Sequence, residues 1–149
     1  MYEAGGLIEK LVIDGYLRVL PAELKEENIV REAGAVYLQL RVDDLLVMTR
    51  RISTVGIITG QRDGKVFRDY ILSLDGAEVL LRVWRESERR ISTEELGENA
   101  PALAYGVLRE YGYVYVSVTS LRRIPPAQMD IFKKQLAVDR KLISRVKRQ

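Results

Sequence analysis

Apolar and polar residues alternate with a period of two through the middle of the chain, as in β-strands that are buried on one side. The pattern predicts strands over residues 52 to 60, 65 to 74 and 77 to 85. Asp63-Gly64 and Asp75-Gly76 separate these segments, and Asp-Gly pairs are typical of tight hairpin turns. The sequence therefore predicts a three-stranded meander.

Two further strands are predicted after a polar stretch. Residues 87 to 100 form that stretch, and because residues 92 to 95 (STEE) resemble a helix start, we expect a short helix or a long loop there. Residues 102 to 111 and 113 to 121 then alternate again on either side of Gly112. A meander, an interruption and a hairpin are the element order of a five-stranded Greek-key barrel of the OB type. The predicted fold class is therefore mainly β.

The segment before the barrel has a mixed pattern. Residues 7 to 13 and 22 to 33 have helical composition, and the second of these lies between Pro21 and Gly34, as a helix would. Residues 16 to 20 and 35 to 42 alternate like short strands. We therefore predict an α/β extension over residues 1 to 50, the barrel over 51 to 124 and a C-terminal helix over 125 to 149.

The C-terminal segment has a helical pattern that begins after Pro125-Pro126 and extends to about residue 148. Asp139 stands at one expected apolar position of a coiled-coil-like seam, and Ile131, Val138 and Leu142 broaden the apolar surface beside it. Either one face of the helix packs on its own barrel while the other meets a partner helix, or the whole helix lies against the barrel. For the first case, the predicted oligomerisation residues are Met129, Phe132, Leu136, Ile143 and Val146.

Composition excludes several classes of function. The chain has no cysteine and no histidine, which removes disulfides, thiol nucleophiles, imidazole bases and nearly all zinc and haem sites. No phosphate-binding loop, dinucleotide fingerprint, nucleophile elbow or two-metal carboxylate cluster is present. We therefore expect no enzymatic activity, no metal and no cofactor.

Charge and hydropathy indicate where in the cell the protein acts. The net charge of +3 combines a basic tail with a body of about −2, because residues 127 to 149 hold seven Lys or Arg against Asp130 and Asp139. Charged residues of both signs make up 30% of the chain, as in thermophilic proteins. No apolar run is long enough to span a membrane and the start is unlike a signal peptide, so we expect a cytoplasmic, nucleoid-associated protein.

Trp84, the single tryptophan, is predicted to lie outside the barrel core. On its strand, a period of two places Val79, Leu81 and Val83 on one face. The other face carries Arg82 and Trp84. An aromatic ring beside a guanidinium can stack on a base and bind a phosphate, which a single nucleic-acid strand requires. The alternative is that a loop, a helix or a partner covers Trp84.

Arg109 and Tyr111 repeat this pairing on the fourth barrel strand, where Ala104, Gly106 and Leu108 form the opposite face. These aromatic residues could instead plug the open end of the barrel. The predicted nucleic-acid-binding residues are Trp84, Tyr111, Arg82, Arg109, Arg62 and Lys65, the last two of which flank the Asp63-Gly64 turn.

Four segments carry a resemblance to a known family. They are residues 55 to 58 (VGII), residues 81 to 84 (LRVW), residues 106 to 111 (GVLREY), and the last strand where it runs into a Pro-initiated helix. In this order and spacing, residues 51 to 136 resemble the central OB domain of the middle subunit of replication protein A and of its archaeal and telomere-capping relatives. Each motif is short, so the resemblance rests on their order.

The resemblance implies a non-enzymatic protein of DNA replication and repair. It implies that Trp84 and Tyr111 stack on single-stranded DNA, that Arg82 and Arg109 lie near its backbone, and that the C-terminal helix joins other OB-fold subunits. Two features depart from the family: residues 1 to 50 do not match a short disordered tail, and no winged-helix domain follows the helix. A scaffold that binds only proteins and an RNA-binding OB protein remain the alternatives, since no residue here selects deoxyribose.

Overall fold

The computed structural model describes residues 9–90 and 96–146. Its strands are β1 (Glu9–Ile13), β2 (Leu17–Arg18), β3 (Ile29–Glu32), β4 (Ala35–Val42), β5 (Leu45–Thr49), β6 (Arg51–Asp63), β7 (Phe67–Leu74), β8 (Ala77–Trp84), β9 (Pro101–Glu110) and β10 (Val114–Arg123), and helix α1 (Ala127–Val146) follows them. No helix in this part of the chain combines the length and apolarity that crossing a membrane requires.

Strands β6 to β10 close into a barrel, as the alternation predicted. The strand order is β6-β7-β8-β10-β9, and β9 pairs with β6 to complete the ring. Strand β8 runs parallel to β10, whereas the other barrel neighbours are antiparallel. Asp75 and Gly76 both have positive φ angles and form the predicted two-residue hairpin turn between β7 and β8. This Greek-key closure is the OB fold.

The N-terminal extension is a sheet, and both helices predicted for it are wrong. Residues 9–13 form β1, which pairs in parallel with β5, while residues 7 and 8 lie outside the described residues. Residues 22 to 33 contain two single 3₁₀ turns and then β3, which pairs with β4. Gly34 ends no helix: Ala33 and Gly34 have positive φ angles and turn β3 into β4. The sheet order is β1-β5-β4-β3.

The extension and the barrel share one apolar core. On β4, the alternation buries Val36, Leu38 and Leu40, while the residues between them face outward. These side chains belong to the same cluster as Leu72 and Leu81 of the barrel. Strand β2 also pairs with β6. The extension is therefore packed on the barrel as part of the same core.

The predicted polar connection between β8 and β9 begins with a 3₁₀ helix, Arg85–Arg90. The possible helix start at residues 92 to 95 lies outside the described residues. Leu96 and Ala100, which follow it, are buried.

Helix α1 lies along the outside of its own barrel. Phe132 is buried there against Val55 of β6 and Leu103 of β9. The Arg18 Nη1 atom donates a hydrogen bond to Asp139 Oδ2 at 2.7 Å, which explains the carboxylate in the apolar seam. Residues 147 to 149, on which the predicted end of the helix falls, lie outside the described residues.

The seam predicted to make the oligomer is therefore mostly used within the chain. Met129 and Leu136 pack with Phe132, and Ile143 packs on the main core. Val146 is the exception, since it is 53% exposed. The coiled-coil spacing is equally suited to packing on a barrel wall, which is the alternative that the sequence left open.

Truncation of Phe132 tests this packing. We expect Phe132→Ala to lower the free energy of unfolding by about 3 to 5 kcal/mol, because it removes a buried ring and leaves a cavity. Ile131→Ala is the matched control on the exposed side of the same turn, and its effect should stay within about 0.5 kcal/mol. Urea unfolding followed by Trp84 fluorescence measures both. Equal effects of the two substitutions would contradict the docking of α1.

Candidate nucleic-acid interface

Strand β8 separates the barrel core from its outer surface as predicted. Val79, Leu81 and Val83 are buried inside the barrel. Trp84 faces outward and is partly buried. Because side chains alternate across a strand, the register of β8 with its two neighbours decides what surrounds this ring.

Trp84 is held on the outer wall by residues of two neighbouring strands. Phe67 of β7 is its direct cross-strand partner, and the two rings meet edge to face with centroids 5.5 Å apart. The indole Nε1 atom donates a hydrogen bond to Ser117 Oγ of β10 at 3.0 Å. The ring is therefore fixed in orientation, and part of its surface stays open to solvent.

Arg82 differs from the prediction, because it is not an exposed phosphate ligand. It is 4% exposed, although it lies on the outer face of β8. Its Nε and Nη2 atoms donate hydrogen bonds to the two carboxylate oxygens of Asp69, directly opposite on β7, at 2.9 and 3.1 Å. These two hydrogen bonds use the pair of parallel guanidinium donors that would otherwise bind a phosphate. The sequence showed the side on which Arg82 lies but not its partner.

Aromatic rings cover the Arg82 guanidinium from several sides. Its Cζ atom lies 3.7 Å from the ring centre of Phe67 and 4.5 Å from that of Tyr115. Nη2 also donates a hydrogen bond of 2.6 Å to the hydroxyl oxygen of Tyr113. The hydrogen bond to Asp69 raises the pKa of Arg82 above its ordinary value, so the charge is permanent. Phe67, Trp84 and Tyr113 thus form one surface, which we call the aromatic face, and Tyr115, which is only 6% exposed, packs behind it on Arg82 and Tyr113.

Tyr111 lies at one end of the aromatic face. It follows β9 in a tight turn in which its backbone N–H donates a hydrogen bond to Tyr113 O at 2.9 Å. Gly112, between them, has a φ angle of 71°, which favours glycine. Tyr111 is 77% exposed. Its ring is the most open of the aromatic side chains around this surface.

Arg109 lies beside Tyr111 and points outward, as the alternation on β9 predicted. Ala104, Gly106 and Leu108 are buried on the inner side of this strand. Arg109 is exposed and lies opposite Tyr115 in the β9–β10 register. A positive charge therefore stands next to the most exposed ring.

Arg62 and Lys65 lie at the opposite end of the aromatic face. Both are exposed and flank the turn from β6 into β7. Arg62 lies opposite Asp69 in the β6–β7 register and so shares its outward side. The outer surface of the second and third barrel strands, between this turn and the turn before the last strand, is where OB folds bind oligonucleotides.

The two predicted stacking residues are well separated. Ser117 of β10 contacts Trp84, and Tyr113, which accepts the backbone hydrogen bond of Tyr111, immediately precedes β10. Ser117 and Tyr113 are four residues apart in the chain, or about 13 Å at the usual rise per residue of a strand. Trp84 and Tyr111 therefore lie at separate places along the outer wall.

Sequence reasoning missed Phe67, Tyr113 and Tyr115. The two tyrosines alternate with Val114 and Val116, so their outward direction was visible in the pattern. The position of Phe67 opposite Trp84 depends on the β7–β8 register. In the described part of the chain, no three acidic or other ligating side chains converge on a point that could hold a metal ion.

Comparison with known proteins adds one sequence relative. No family model matches the chain. A protein from Thermofilum pendens, named as an uncharacterized 18.7 kDa protein in the ribosomal RNA operon, is 28% identical over 137 residues, which cover 91% of this chain and 80% of that protein.

Solved structures show the same fold at low sequence identity. Yeast Stn1 and Ten1 match with a TM-score of 0.62 and 10% identity over 88% of this chain and 75% of that chain. The S. pombe Stn1–Ten1 complex matches at 0.59, with 12% identity over 66% and 76%. A replication protein A heterotrimer bound to ssDNA matches at 0.53, with 14% identity over 71% and 86%. The likeness to these structures shows that the chain has an OB fold.

The Asp69–Arg82 pair gives a prediction about stability. We expect Asp69→Asn to destabilise the protein by about 3 kcal/mol, because it leaves a buried guanidinium without its counter-charge. Asp63→Asn is the control: Asp63 pairs with Arg68 nearby, but its carboxylate is exposed, so its loss should change stability little. Chemical denaturation measures both variants. If Asp69→Asn were as stable as the control, the burial of Arg82 would not depend on its ion pair with Asp69.

Proposed function

We propose that this protein binds single-stranded nucleic acid, in the first place DNA, without catalysing a reaction. The observation that carries the proposal is a row of outward-facing aromatic side chains between the two turns that border the ligand surface of an OB fold. Stacking on aromatic rings does not depend on the base sequence, because every base has a flat face. We further propose a role in DNA replication and repair, in the cytoplasm and associated with the nucleoid.

Each end of the aromatic face has its own platform and charges. In the proposal, Trp84 and Tyr111 stack on bases, and Arg109 binds the phosphates beside Tyr111. Arg62 and Lys65 bind phosphates at the other end. Arg82 holds Phe67, Tyr113 and Tyr115 in place instead of binding the ligand, since its donors are already used. This replaces the role that the sequence assigned to Arg82.

The structural neighbours support the proposal. One of them is a replication protein A heterotrimer described as bound to ssDNA, and its OB fold is the fold found here. Two others are Stn1–Ten1 assemblies. We extend the proposal to a role as one subunit of such an assembly, which the same likeness supports.

Loss of the two exposed platforms should weaken binding. Trp84→Ala and Tyr111→Ala should each lower affinity for a labelled oligothymidylate by about 5-fold to 150-fold, which corresponds to about 1 to 3 kcal/mol per stacked base. Fluorescence anisotropy of the labelled oligonucleotide measures the loss without relying on the single tryptophan.

Tyr111→Phe is the matched control for this experiment. It keeps the ring and removes only a hydroxyl group, so its affinity should stay near that of the wild type. If the Trp84→Ala, Tyr111→Ala double variant bound as tightly as the wild type, the stacking model would be wrong. A duplex of the same length should bind more weakly than the single strand, because its bases are already stacked.

A second candidate function is protein assembly through helix α1. The outer side of the helix keeps an apolar stripe of Ile131, Val138, Leu142 and Val146, each about half exposed. Exposed apolar patches of this kind mark contact surfaces. The partner that this candidate implies is another OB-fold subunit, as in the neighbouring assemblies.

The stripe gives its own prediction. Val138→Asp with Leu142→Asp should abolish any self-association or co-purification of an OB-fold subunit and leave the unfolding midpoint nearly unchanged, because neither side chain is buried in the chain. Sedimentation velocity of both proteins measures this. A wild type that stays monomeric at high concentration and purifies without a partner would contradict assembly through α1.

RNA is the remaining alternative ligand. The Thermofilum pendens relative is named for its place in a ribosomal RNA operon, which favours a role in RNA processing or translation. The same titrations with oligouridylate in place of oligothymidylate distinguish RNA from DNA as the ligand. Tighter binding of oligouridylate would show that the protein prefers RNA.

A further inference from the structure

A cleft separates the N-terminal sheet from the barrel next to Tyr111. It consists of two adjoining hollows of about 330 and 490 Å³. Residues of the extension line one side of each hollow and residues of β9 line the other. Arg50 and Arg109 border both hollows, so the two form one continuous groove. No pattern in the sequence predicted this groove, because a mixed helix and strand segment was expected where the extension forms a sheet.

Four arginines line this groove, which we call the arginine cleft: Arg31, Arg50, Arg51 and Arg109. The acidic residues that line it are Glu110 and Asp14. Residues outside the C-terminal tail carry a net charge of about −2, so a local excess of positive charge here is not a consequence of composition. It arises because the fold brings the β5–β6 junction to β9.

One of the four arginines is already neutralised. Arg31 donates hydrogen bonds to both carboxylate oxygens of Glu110, the shortest at 2.7 Å, and pairs with Glu26 at 2.8 Å. The hydrogen bond from Arg31 lowers the pKa of Glu110, so this carboxylate stays charged and paired. Arg31 and Glu110 therefore fix the extension to the barrel and leave the other three arginines to face the groove.

The other three arginines keep their charge available. Arg51 Nη1 donates a hydrogen bond of 3.2 Å to the carbonyl oxygen of Asp14, which is a neutral acceptor. The Arg50 guanidinium lies over the Tyr37 ring at 5.9 Å, and its buried Nε atom finds no acceptor in residues 9–90 and 96–146. Arg50 borders both hollows, so its positive charge attracts an anion in the groove.

The arginine cleft is continuous with the aromatic face. Tyr115 packs on Arg82 at 4.5 Å on one side and lines the smaller hollow on the other. Tyr111 lines the same hollow. Arg51 and Arg109 lie on the adjacent strands β6 and β9, which are about 5 Å apart. A strand that stacks on Tyr111 can therefore continue directly into the groove.

We propose that the arginine cleft binds the phosphodiester backbone of the same single strand beyond Tyr111, so that the N-terminal sheet forms a second wall of the binding site. The proposal rests on the proposed function. It assigns the extension a role in setting how many nucleotides are held, and it names Arg50 and Arg51 as phosphate ligands outside the barrel surface predicted from sequence. Guanidinium groups are suited to this because they bind phosphate through two parallel hydrogen bonds.

The test uses the full chain and oligothymidylates of about 4 and about 12 nucleotides, which span the usual site sizes of one OB fold. The variant is Arg50→Gln with Arg51→Gln. The matched control is Arg122→Gln with Arg123→Gln, which removes the same charge from exposed residues at the far end of β10. Quenching of Trp84 fluorescence over a range of salt concentrations is the readout, because all of these proteins keep the reporter.

We expect the cleft variant to bind the longer oligonucleotide on the order of tenfold more weakly than the control does at low salt. The slope of log affinity against log salt should shrink by about 1.4, since each phosphate contact to a single strand contributes about 0.7. The shorter oligonucleotide should bind both variants alike. Arg51→Gln alone should show about half of the slope change. This single variant replaces the double variant in the experiment if the loss of the partly buried Arg50 prevents folding.

The outcomes separate this inference from the proposed function. A wild type that binds neither oligonucleotide would overturn both. A wild type that binds both, with the cleft variant indistinguishable from the control, would overturn the arginine cleft and leave the aromatic face intact. Equal weakening of the two lengths would also overturn it, because a cleft beyond Tyr111 acts only on strands long enough to reach it.

Discussion

The pairing of β6 is the constraint on which the rest of the structure depends. Its first half, from Arg51 to Ile57, pairs with β9, and its second half, from Ile57 to Asp63, pairs with β7. One strand therefore closes the barrel, and an irregularity between Ile58 and Gly60 marks where it bends. The same strand places Arg51 at the cleft, Val55 under helix α1 and Arg62 beside the aromatic face. The cleft, the docking surface of α1 and the aromatic face are all arranged around it.

Much of this could be predicted from the sequence because alternation reports which side of a strand is buried. The five barrel strands, the Asp-Gly turn at Asp75 and the inner and outer sides of β8 and β9 were all visible in the pattern. The pattern did not show which residues pack over the outer side of a strand. Asp69 is 13 residues from Arg82 in the chain and meets it only through the β7–β8 register. Burial of Arg82 follows from that register and not from its own strand.

The wrong helices predicted in the extension and the two settings left open for α1 have a common origin, because one local pattern is compatible with two tertiary settings. A segment before Gly34 has the composition of a helix, but Ile29 and Val30 pair with β4 and the glycine turns a hairpin. The seam of α1 has the spacing of a coiled coil, yet it packs on a barrel wall. In both cases the structure depends on the segment that packs against the pattern, which is β4 for residues 29 and 30 and the barrel wall for α1. Local spacing does not identify that segment.

The short turns at both ends of the aromatic face determine how a ligand reaches it. Residues 64 to 66 and 111 to 113 connect their strands so tightly that neither turn arches over the surface. A surface that neither of these two turns covers does not require the end of a polymer to be threaded past them. If the face binds a single strand as proposed, the protein can bind to an internal gap in a long strand and leave it without travelling to a terminus. Contacts on the face then set the residence time, and neither turn has to open first.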